Sequence, residues 1–142
     1  MRFTNKGTYV LLIKLSKNKE IKIGSLGKLR FKKGFYAYVG SAMNGLDRRI
    51  QRHLRKMKRF YWHIDYLLKD ADILKVVYAQ TRTKRECDIA TYLEQYLRSI
   101  KNFGSSDCKC KSHLFFSENF KDLEGDVLSA FSKNRLSYKF IL

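Results

Sequence analysis

Hydrophobic residues recur along the chain with two spacings, one typical of strands and one typical of helices. A continuous run of large and β-branched apolar residues over 8–15 predicts a buried strand. Shorter apolar runs flank a Gly-Ser-Leu-Gly segment at 24–27 and predict a hairpin there. Further strands are predicted over 35–39, 73–79 and 137–141.

Apolar residues at helical spacing predict four helices. The first covers 46–58, and its buried face is expected to carry Leu46, Ile50, Leu54 and Met57. A short helix rich in aromatic residues is predicted over 60–68, the longest helix over 83–100 and a fourth helix through 126–131. The apolar stripe of the longest helix consists of Ile89, Leu93, Tyr96, Leu97 and Ile100. Strands mixed with helices in this way predict an α/β or α+β fold.

A single domain over 1–142 is expected. The chain contains no proline and no low-complexity linker, and 142 residues are enough to bury a core. No apolar run is long enough to span a membrane, so no membrane association is expected. The N-terminus lacks a signal-peptide pattern, and there are only three cysteines, so a cytoplasmic location is predicted.

The charge of the chain is strongly positive and concentrated in one segment. Thirty lysines and arginines oppose thirteen acids, which gives a net charge of +17. Residues 28–59 contain eleven of these bases and a single acid, Asp47. Such a surface predicts an anionic partner, with nucleic acid as the first candidate. A basic protein without such a role, or one that binds an anionic membrane, is the alternative.

Polar residues interrupt the apolar faces of two predicted helices. Arg49 and His53 lie one turn apart at the edge of the buried face of the first helix, where a guanidinium can hold phosphate and an imidazole can move a proton. The alternative is an ordinary basic helix. Arg48, Arg52 and Arg55 are expected to point to solvent. Glu86 falls within the stripe of the longest helix, and either a cation or a capping box that begins at Thr83 explains it.

A third group consists of Cys108, Cys110 and His113, which lie within six residues. Thiolates and imidazoles are zinc ligands, and His63, Cys87 or Asp107 would complete a site of four. A polar loop with buried thiols is the alternative. Tyr9 and Tyr38 form a fourth group, since each lies in a predicted strand close to a glycine. From the pattern alone they are core aromatics.

Taken in order along the chain, these features resemble the GIY-YIG endonuclease family. Gly7-Thr8-Tyr9 corresponds to the first tripeptide, with threonine in place of isoleucine, and Tyr38-Val39-Gly40 corresponds to the second. Arg49 and His53 are similar to the arginine and histidine of the family, and Glu86 is similar to its metal-binding glutamate. The resemblance covers about residues 7–103, which leaves 104–142 as a C-terminal extension.

The resemblance implies a small, mainly antiparallel sheet flanked by helices, with the 21–31 hairpin as an insertion. It also implies metal-dependent hydrolysis of phosphodiester bonds in DNA. Tyr9 would help to deprotonate the attacking water, His53 would take up the proton, and Tyr38 would orient water or phosphate. Arg49 would stabilise charge on the phosphate, and Glu86 would hold one Mg²⁺ or Mn²⁺ ion. Contacts to nucleic acid are expected from Lys32, Lys33, Ser41, Arg48, Arg52 and Arg55.

Two further segments, 62–68 and 107–113, resemble a stand-alone, mostly archaeal subgroup of the same family. They make His63, Cys108, Cys110 and His113 candidate ligands of a structural Zn²⁺. Asn102 is the candidate for an asparagine that the family has beyond the glutamate helix. A protein that binds DNA or structured RNA without cutting it is the main alternative, since the charge fits it equally well. A zinc-stabilised interaction surface is a third possibility.

Overall fold

The central element of the fold is a long first strand that is buried on both faces. The computed structural model describes residues 6–104 and 110–141. Strand β1 (Gly7–Leu15) pairs with β4 (Gly34–Ala42) on one side and with β5 (Asp72–Gln80) on the other. Burial on both faces explains the hydrophobic run in the sequence, since every residue from Gly7 to Ile13 is buried and only Lys14 of this strand is exposed.

The main sheet has six strands, and all of its pairs are antiparallel. The strands follow the order β6-β7-β4-β1-β5-β8, in which the three not yet described are β6 (Arg98–Ser99), β7 (Leu114–Ser117) and β8 (Lys139–Ile141). A separate two-stranded sheet is formed by β2 (Lys19–Lys22) and β3 (Lys28–Phe31), which confirms the predicted hairpin. The predicted α+β class, with a mainly antiparallel sheet, is therefore confirmed.

Helices cover both faces of the main sheet. Tyr9, Leu11 and Ile13 of β1 share a core with the hairpin and with α1 (Leu46–Leu54) and α2 (His63–Leu68). The alternate residues of the strand, Val10 and Leu12, pack with α3 (Glu86–Glu94) and α4 (Phe120–Lys133). In residues 6–104 and 110–141, no helix has the length and the apolar character that a bilayer crossing requires.

Two predicted helices are shorter than expected. The helix predicted over 46–58 ends at Leu54, and Met57 is 90% exposed instead of buried. The prediction of a longest helix over 83–100 is wrong, because α3 has nine residues and α4 has fourteen. Beyond α3 the chain pairs with β7, so that Leu97 and Ile100 pack into different cores. The apolar face of one helix packs against one face of a sheet, so a continuous helix could not bury Leu97 and Ile100 in different cores.

Candidate active site and adjoining metal cluster

The two tyrosines of the tripeptides lie on one face of the sheet, near the same end. In the register of β1 with β4, Tyr9 faces Gly40 and Leu11 faces Tyr38, so that the tyrosines are diagonal neighbours. A Cβ atom built on Gly40 would lie only 2.6 Å from Cζ and Oη of Tyr9. Glycine is therefore required at this position by the close approach of the Tyr9 phenol.

Tyr9 and His53 form a buried hydrogen-bonded pair. The Tyr9 Oη atom lies 2.7 Å from Nε2 of His53, and both residues are buried. Burial raises the pKa of Tyr9 to about 12, although Arg49 opposes this shift. Burial also lowers the pKa of His53 to about 3, with a further contribution from Lys58. At neutral pH both groups are therefore uncharged, and the neutral imidazole can accept a hydrogen bond from the phenol.

Arg49 projects from α1 toward the end of β4, where two contacts hold its guanidinium. One N–H group donates to the carbonyl oxygen of Ser41 at 3.1 Å. The guanidinium carbon also lies 4.5 Å from the centre of the Trp62 ring. These contacts restrict the head of Arg49, which also interacts with the Tyr9 phenol and opposes the rise in pKa that burial causes there.

Arg52 differs from its prediction, because it does not point to solvent. Its guanidinium donates to both carboxylate oxygens of Asp65 at 2.9 Å and lies 4.4 Å from the Trp62 ring centre. The side chain of Asp65 is fully buried and that of Arg52 is 19% exposed. Burial alone would raise the pKa of Asp65, but hydrogen bonds from Arg52 and two backbone amides lower it. Arg52 therefore stabilises the position of Trp62 and α2. Its guanidinium is occupied by Asp65 and is not available for the predicted contact with phosphate.

Glu86 is the first residue of α3, and it does not cap that helix. Arg85 occupies the capping position, with no side-chain hydrogen bond to the helix end, so the predicted capping box that begins at Thr83 is absent. The Arg85 backbone amide donates instead to Oγ1 of the buried Thr8, at 3.2 Å. Oε2 of Glu86 is buried and has no hydrogen-bond partner among residues 6–104 and 110–141. An unpaired carboxylate oxygen of this kind fits a cation.

An open pocket of about 960 Å³ brings most of the predicted residues together. Its wall includes Tyr9, Tyr38, Ser41, Arg49, His63 and Glu86, while His53 lies behind Tyr9. The other predicted nucleic-acid contacts lie elsewhere. Lys32 and Lys33 line a different cavity beside Phe35, whereas Arg48 and Arg55 are exposed outside the pocket wall. Asn102 is also exposed and outside this wall.

A second group of side chains lines the same pocket next to Glu86. The ligand atoms of Cys87, Cys110 and His113 all lie within 4.8 Å of one another, so this cluster could hold a metal ion. Backbone hydrogen bonds from His113 N to Phe103 O and from Val39 N to His113 O fix the position of this histidine. Its Nε2 atom is buried without a partner in the described part of the chain.

The membership of this cluster differs in part from the set predicted for zinc. Cys110 and His113 belong to it, and Cys87 is the member supplied by α3. His63 is not a member, and its Nδ1 atom accepts a hydrogen bond from Gly104 N at 3.0 Å. Cys108 and Asp107 lie outside the described residues. Cys110 is in the thiol form, whereas Cys87 is in the disulfide form and must be reduced before it can bind a metal.

Sequence reasoning did not find the roles of Thr8, Gly40 and Trp62. Thr8 holds the start of α3, Gly40 makes room for Tyr9, and Trp62 lies against both Arg49 and Arg52. The only signal for Thr8 was that it stands where the similar family has isoleucine. Trp62 was part of a segment noted only for its resemblance to a subgroup.

Comparison with known proteins yields a match to one family. No curated protein and no solved structure matches the chain. A family model described as "Domain of unknown function DUF123" matches residues 8–136 and therefore includes both the tyrosine pair and the Cys/His cluster. The chain belongs to this DUF123 domain family.

Proposed function

We propose that this protein is a metal-dependent endonuclease that hydrolyses phosphodiester bonds in DNA with a GIY-YIG-type site. The observation that carries the proposal is the convergence of Tyr9, Tyr38, Arg49 and Glu86 on one open pocket. These residues come from β1, β4, α1 and α3, so their convergence requires the whole fold. The net charge of +17 supports an anionic polymer as the substrate.

Glu86 is the residue that would hold the divalent ion. Its buried Oε2 atom lacks a partner within the described residues, and carboxylate oxygen is the ligand type that Mg²⁺ and Mn²⁺ prefer. A single protein carboxylate is sufficient when phosphate oxygens and water complete the coordination. A bound ion would supply positive charge to neutralise the leaving oxygen of the phosphodiester.

Tyr9 and His53 are the proposed proton-transfer pair. The Tyr9 phenol faces the pocket, and its Oη atom lies 2.7 Å from a neutral imidazole. A proton that leaves the attacking water passes to the phenolic oxygen while the phenolic proton passes to His53 Nε2. Because the pKa of His53 is about 3, this imidazole is unprotonated across the neutral range and can accept the hydrogen bond of the phenol, but it is a weak base. It would therefore hold the proton only transiently, while the phenolic oxygen takes up the proton of the water.

Arg49 and Tyr38 would act on the phosphate itself. The Arg49 guanidinium is fixed at the pocket wall by Ser41 and Trp62, so it is preorganised to meet negative charge that develops on the phosphate oxygens. The Tyr38 phenol shares the pocket, and burial raises its pKa, so it remains a hydrogen-bond donor that can orient phosphate or water.

The cluster of Cys87, Cys110 and His113 is proposed to bind a structural Zn²⁺ ion. Two sulfur ligands and one imidazole favour zinc over Mg²⁺ or Mn²⁺. The ion would join α3 to the segment before β7 and would thereby support Glu86, the neighbour of Cys87. Because the thiolates need a reducing compartment, we also expect a cytoplasmic location. Metal analysis of the reduced protein tests this, with Cys110→Ser as the variant expected to lose zinc.

Plasmid nicking with Mg²⁺ or Mn²⁺ tests the nuclease proposal. Glu86→Gln and Arg49→Ala are expected to lower the nicking rate by at least about 100-fold. Two exposed residues outside the pocket give matched controls, Glu118→Gln for the carboxylate and Arg30→Ala for the guanidinium. Equal nicking by the site variants and their controls would contradict the proposal.

The second candidate function is DNA binding without cleavage. It is favoured by the same observation that supports the substrate class, namely eleven bases in residues 28–59. Salt-dependent binding with no nicking under either metal would establish this candidate. The nicking experiment therefore separates the two functions, because both predict binding and only one predicts cleavage.

A further inference from the structure

Tyr61 is a large aromatic residue that the proposed catalytic steps do not use. It lies at the wall of the pocket that contains Arg49 and Glu86, and it is 78% exposed. Single exposed aromatic rings are common on protein surfaces, so the position of Tyr61 beside the pocket, and not its exposure alone, makes it a candidate contact for a ligand.

The backbone at Tyr61 is held in position by a hydrogen bond to Asp65. The carboxylate of Asp65 accepts hydrogen bonds from the backbone amides of Tyr61 at 2.8 Å and of Trp62 at 2.9 Å. Asp65 is itself fully buried, and its carboxylate accepts hydrogen bonds from Nη1 and Nη2 of Arg52. The Tyr61 ring is therefore displayed from a rigid support, which lowers the entropy lost when a ligand binds to it.

Neighbouring side chains leave the Tyr61 ring available. The indole of Trp62 already lies against Arg49 and Arg52, with ring-centre distances of 4.5 and 4.4 Å. The rings of Tyr61 and Trp62 meet at 81°, with their centres 5.1 Å apart, which is an edge contact and not a stack. Trp62 thus has a structural role, whereas most of the surface of Tyr61 faces solvent.

Cationic side chains lie in the same segment as this ring and on the same pocket wall. Arg55 and Arg59 are exposed in the segment that leads to Tyr61, and the exposed Lys84 lies on the pocket wall. Exposed aromatic rings among cations are typical of surfaces that bind single-stranded nucleic acid, where cations follow the phosphates and rings stack on the bases.

We propose that Tyr61 is a stacking platform for an unpaired base of single-stranded DNA, next to the phosphate that the pocket receives. The inference rests on the proposed function and names its substrate class. In an uninterrupted duplex both faces of each base are already stacked, so the Tyr61 ring has no base face to cover. The preferred substrate is therefore DNA with a single-stranded segment at the site of cleavage, so the nicking experiment should include a plasmid with a single-stranded gap beside the intact plasmid.

Binding measured without added Mg²⁺ or Mn²⁺ tests the inference separately from catalysis. Fluorescence anisotropy compares a single-stranded oligonucleotide with the duplex of the same sequence at one fixed salt concentration. Quenching of a 2-aminopurine base in the single strand reports stacking directly. The variants are Tyr61→Leu and Tyr61→Phe, and the matched control is Tyr96→Leu, because Tyr96 is an exposed tyrosine (58%) outside the pocket wall.

Tyr61→Leu is expected to weaken single-strand binding by about fivefold or more and to abolish the quenching. Tyr61→Phe and Tyr96→Leu are expected to bind as the wild type does, and duplex binding should be unchanged in all variants. Equal weakening of both DNA forms, no weakening by Tyr61→Leu, or no binding to the single strand would overturn the inference. If the protein stacks the base but nicks nothing, only the nuclease proposal fails.

Discussion

Oη of Tyr9 and Nε2 of His53 lie 2.7 Å apart in the interior, although the two residues are separated by 44 positions in the sequence. Tyr9 faces the pocket, and His53 is buried behind it. The phenol therefore connects the pocket to this imidazole through one hydrogen bond. Because burial keeps both groups neutral at neutral pH, the pair can relay a proton without first carrying a charge.

Replacement of Tyr9 by phenylalanine removes the hydroxyl of this pair and little else. We expect the nicking rate of Tyr9→Phe to fall by at least about 100-fold, because one proton-transfer group is lost. Tyr36→Phe is the matched control, since that buried hydroxyl donates to Lys32 O at 2.7 Å and lies outside the pocket wall. It should lower stability by about 1 kcal/mol and leave nicking unchanged. Comparable nicking by both variants would contradict the role of Tyr9.

Gly40→Ala should displace the Tyr9 phenol without removing any catalytic atom. The added Cβ would lie 2.6 Å from Cζ and Oη of Tyr9, so the ring must move. A loss of nicking on the order of 100-fold is expected from this misplacement. The control is Gly125→Ala in α4, where no atom lies within 4 Å of the added Cβ. That variant should keep full activity and gain up to about 1 kcal/mol of stability. Full activity of Gly40→Ala would show that the close approach is unimportant.

Burial of His53 should make stability depend on pH below neutrality. Its pKa is about 3 in the folded protein against an ordinary value of 6.5, so the unfolded chain binds a proton that the folded chain does not. The stability that this difference contributes is complete above pH 6.5 and is lost as the pH falls toward 3. One such group changes the free energy of unfolding by about 1.4 kcal/mol per pH unit.

Urea unfolding of the wild type and of His53→Gln measures this contribution. Between pH 6.5 and pH 5, the wild type should lose about 2 kcal/mol more than the variant does. His63 and His113, whose pKa values are also lowered by burial, remain in both proteins, so their contributions cancel in the comparison. If the free energies of unfolding of the two proteins fell equally with pH, the prediction that His53 is buried in its neutral form would be refuted.

The ion pair between Arg52 and Asp65 should contribute far more to stability than an exposed pair does. Asp65→Ala leaves a mostly buried guanidinium and two backbone amides without their acceptor, so we expect a loss of about 3–5 kcal/mol. Asp72→Ala removes an acid whose pair with Lys56 is exposed, and it should cost less than about 1 kcal/mol. Thermal or urea unfolding of both variants makes the comparison, and similar losses would argue against the prediction.

The sequence predicted the elements that depend on local pattern. The apolar run of β1, the hairpin and the positions of all four helices were found because burial imposes a period of two or of about 3.6 residues. The ends of the helices were not found. The segment after α3 changes from helix to strand because β7 offers it backbone partners, and those partners are distant in sequence.

Predictions about individual site residues depended on whether their partners were local. Arg49 and His53 were identified from their spacing on one helix, and the structure brings both toward Tyr9 and the pocket. Arg52 was assigned to solvent because the pattern of its own helix carries no information about Asp65 on α2. Cys87 could only be offered as one of three ligands, since its approach to Cys110 and His113 is set by the packing of α3.

Thr8 and Tyr9 are adjacent on β1, so their side chains leave the sheet on opposite sides. Oγ1 of Thr8 accepts a hydrogen bond from Arg85 N at the start of α3, and Tyr9 is hydrogen-bonded to His53 of α1. The Thr8-Tyr9 dipeptide therefore links β1 to helices on both faces of the sheet. If β1 shifted by one position against its neighbours, the side chain of Thr8 would face the side of α1 and that of Tyr9 the side of α3. The strand would still be largely apolar on both faces. The proposed nuclease activity therefore depends on the exact register of β1, because a shift of one position would carry the Tyr9 phenol to the other face of the sheet.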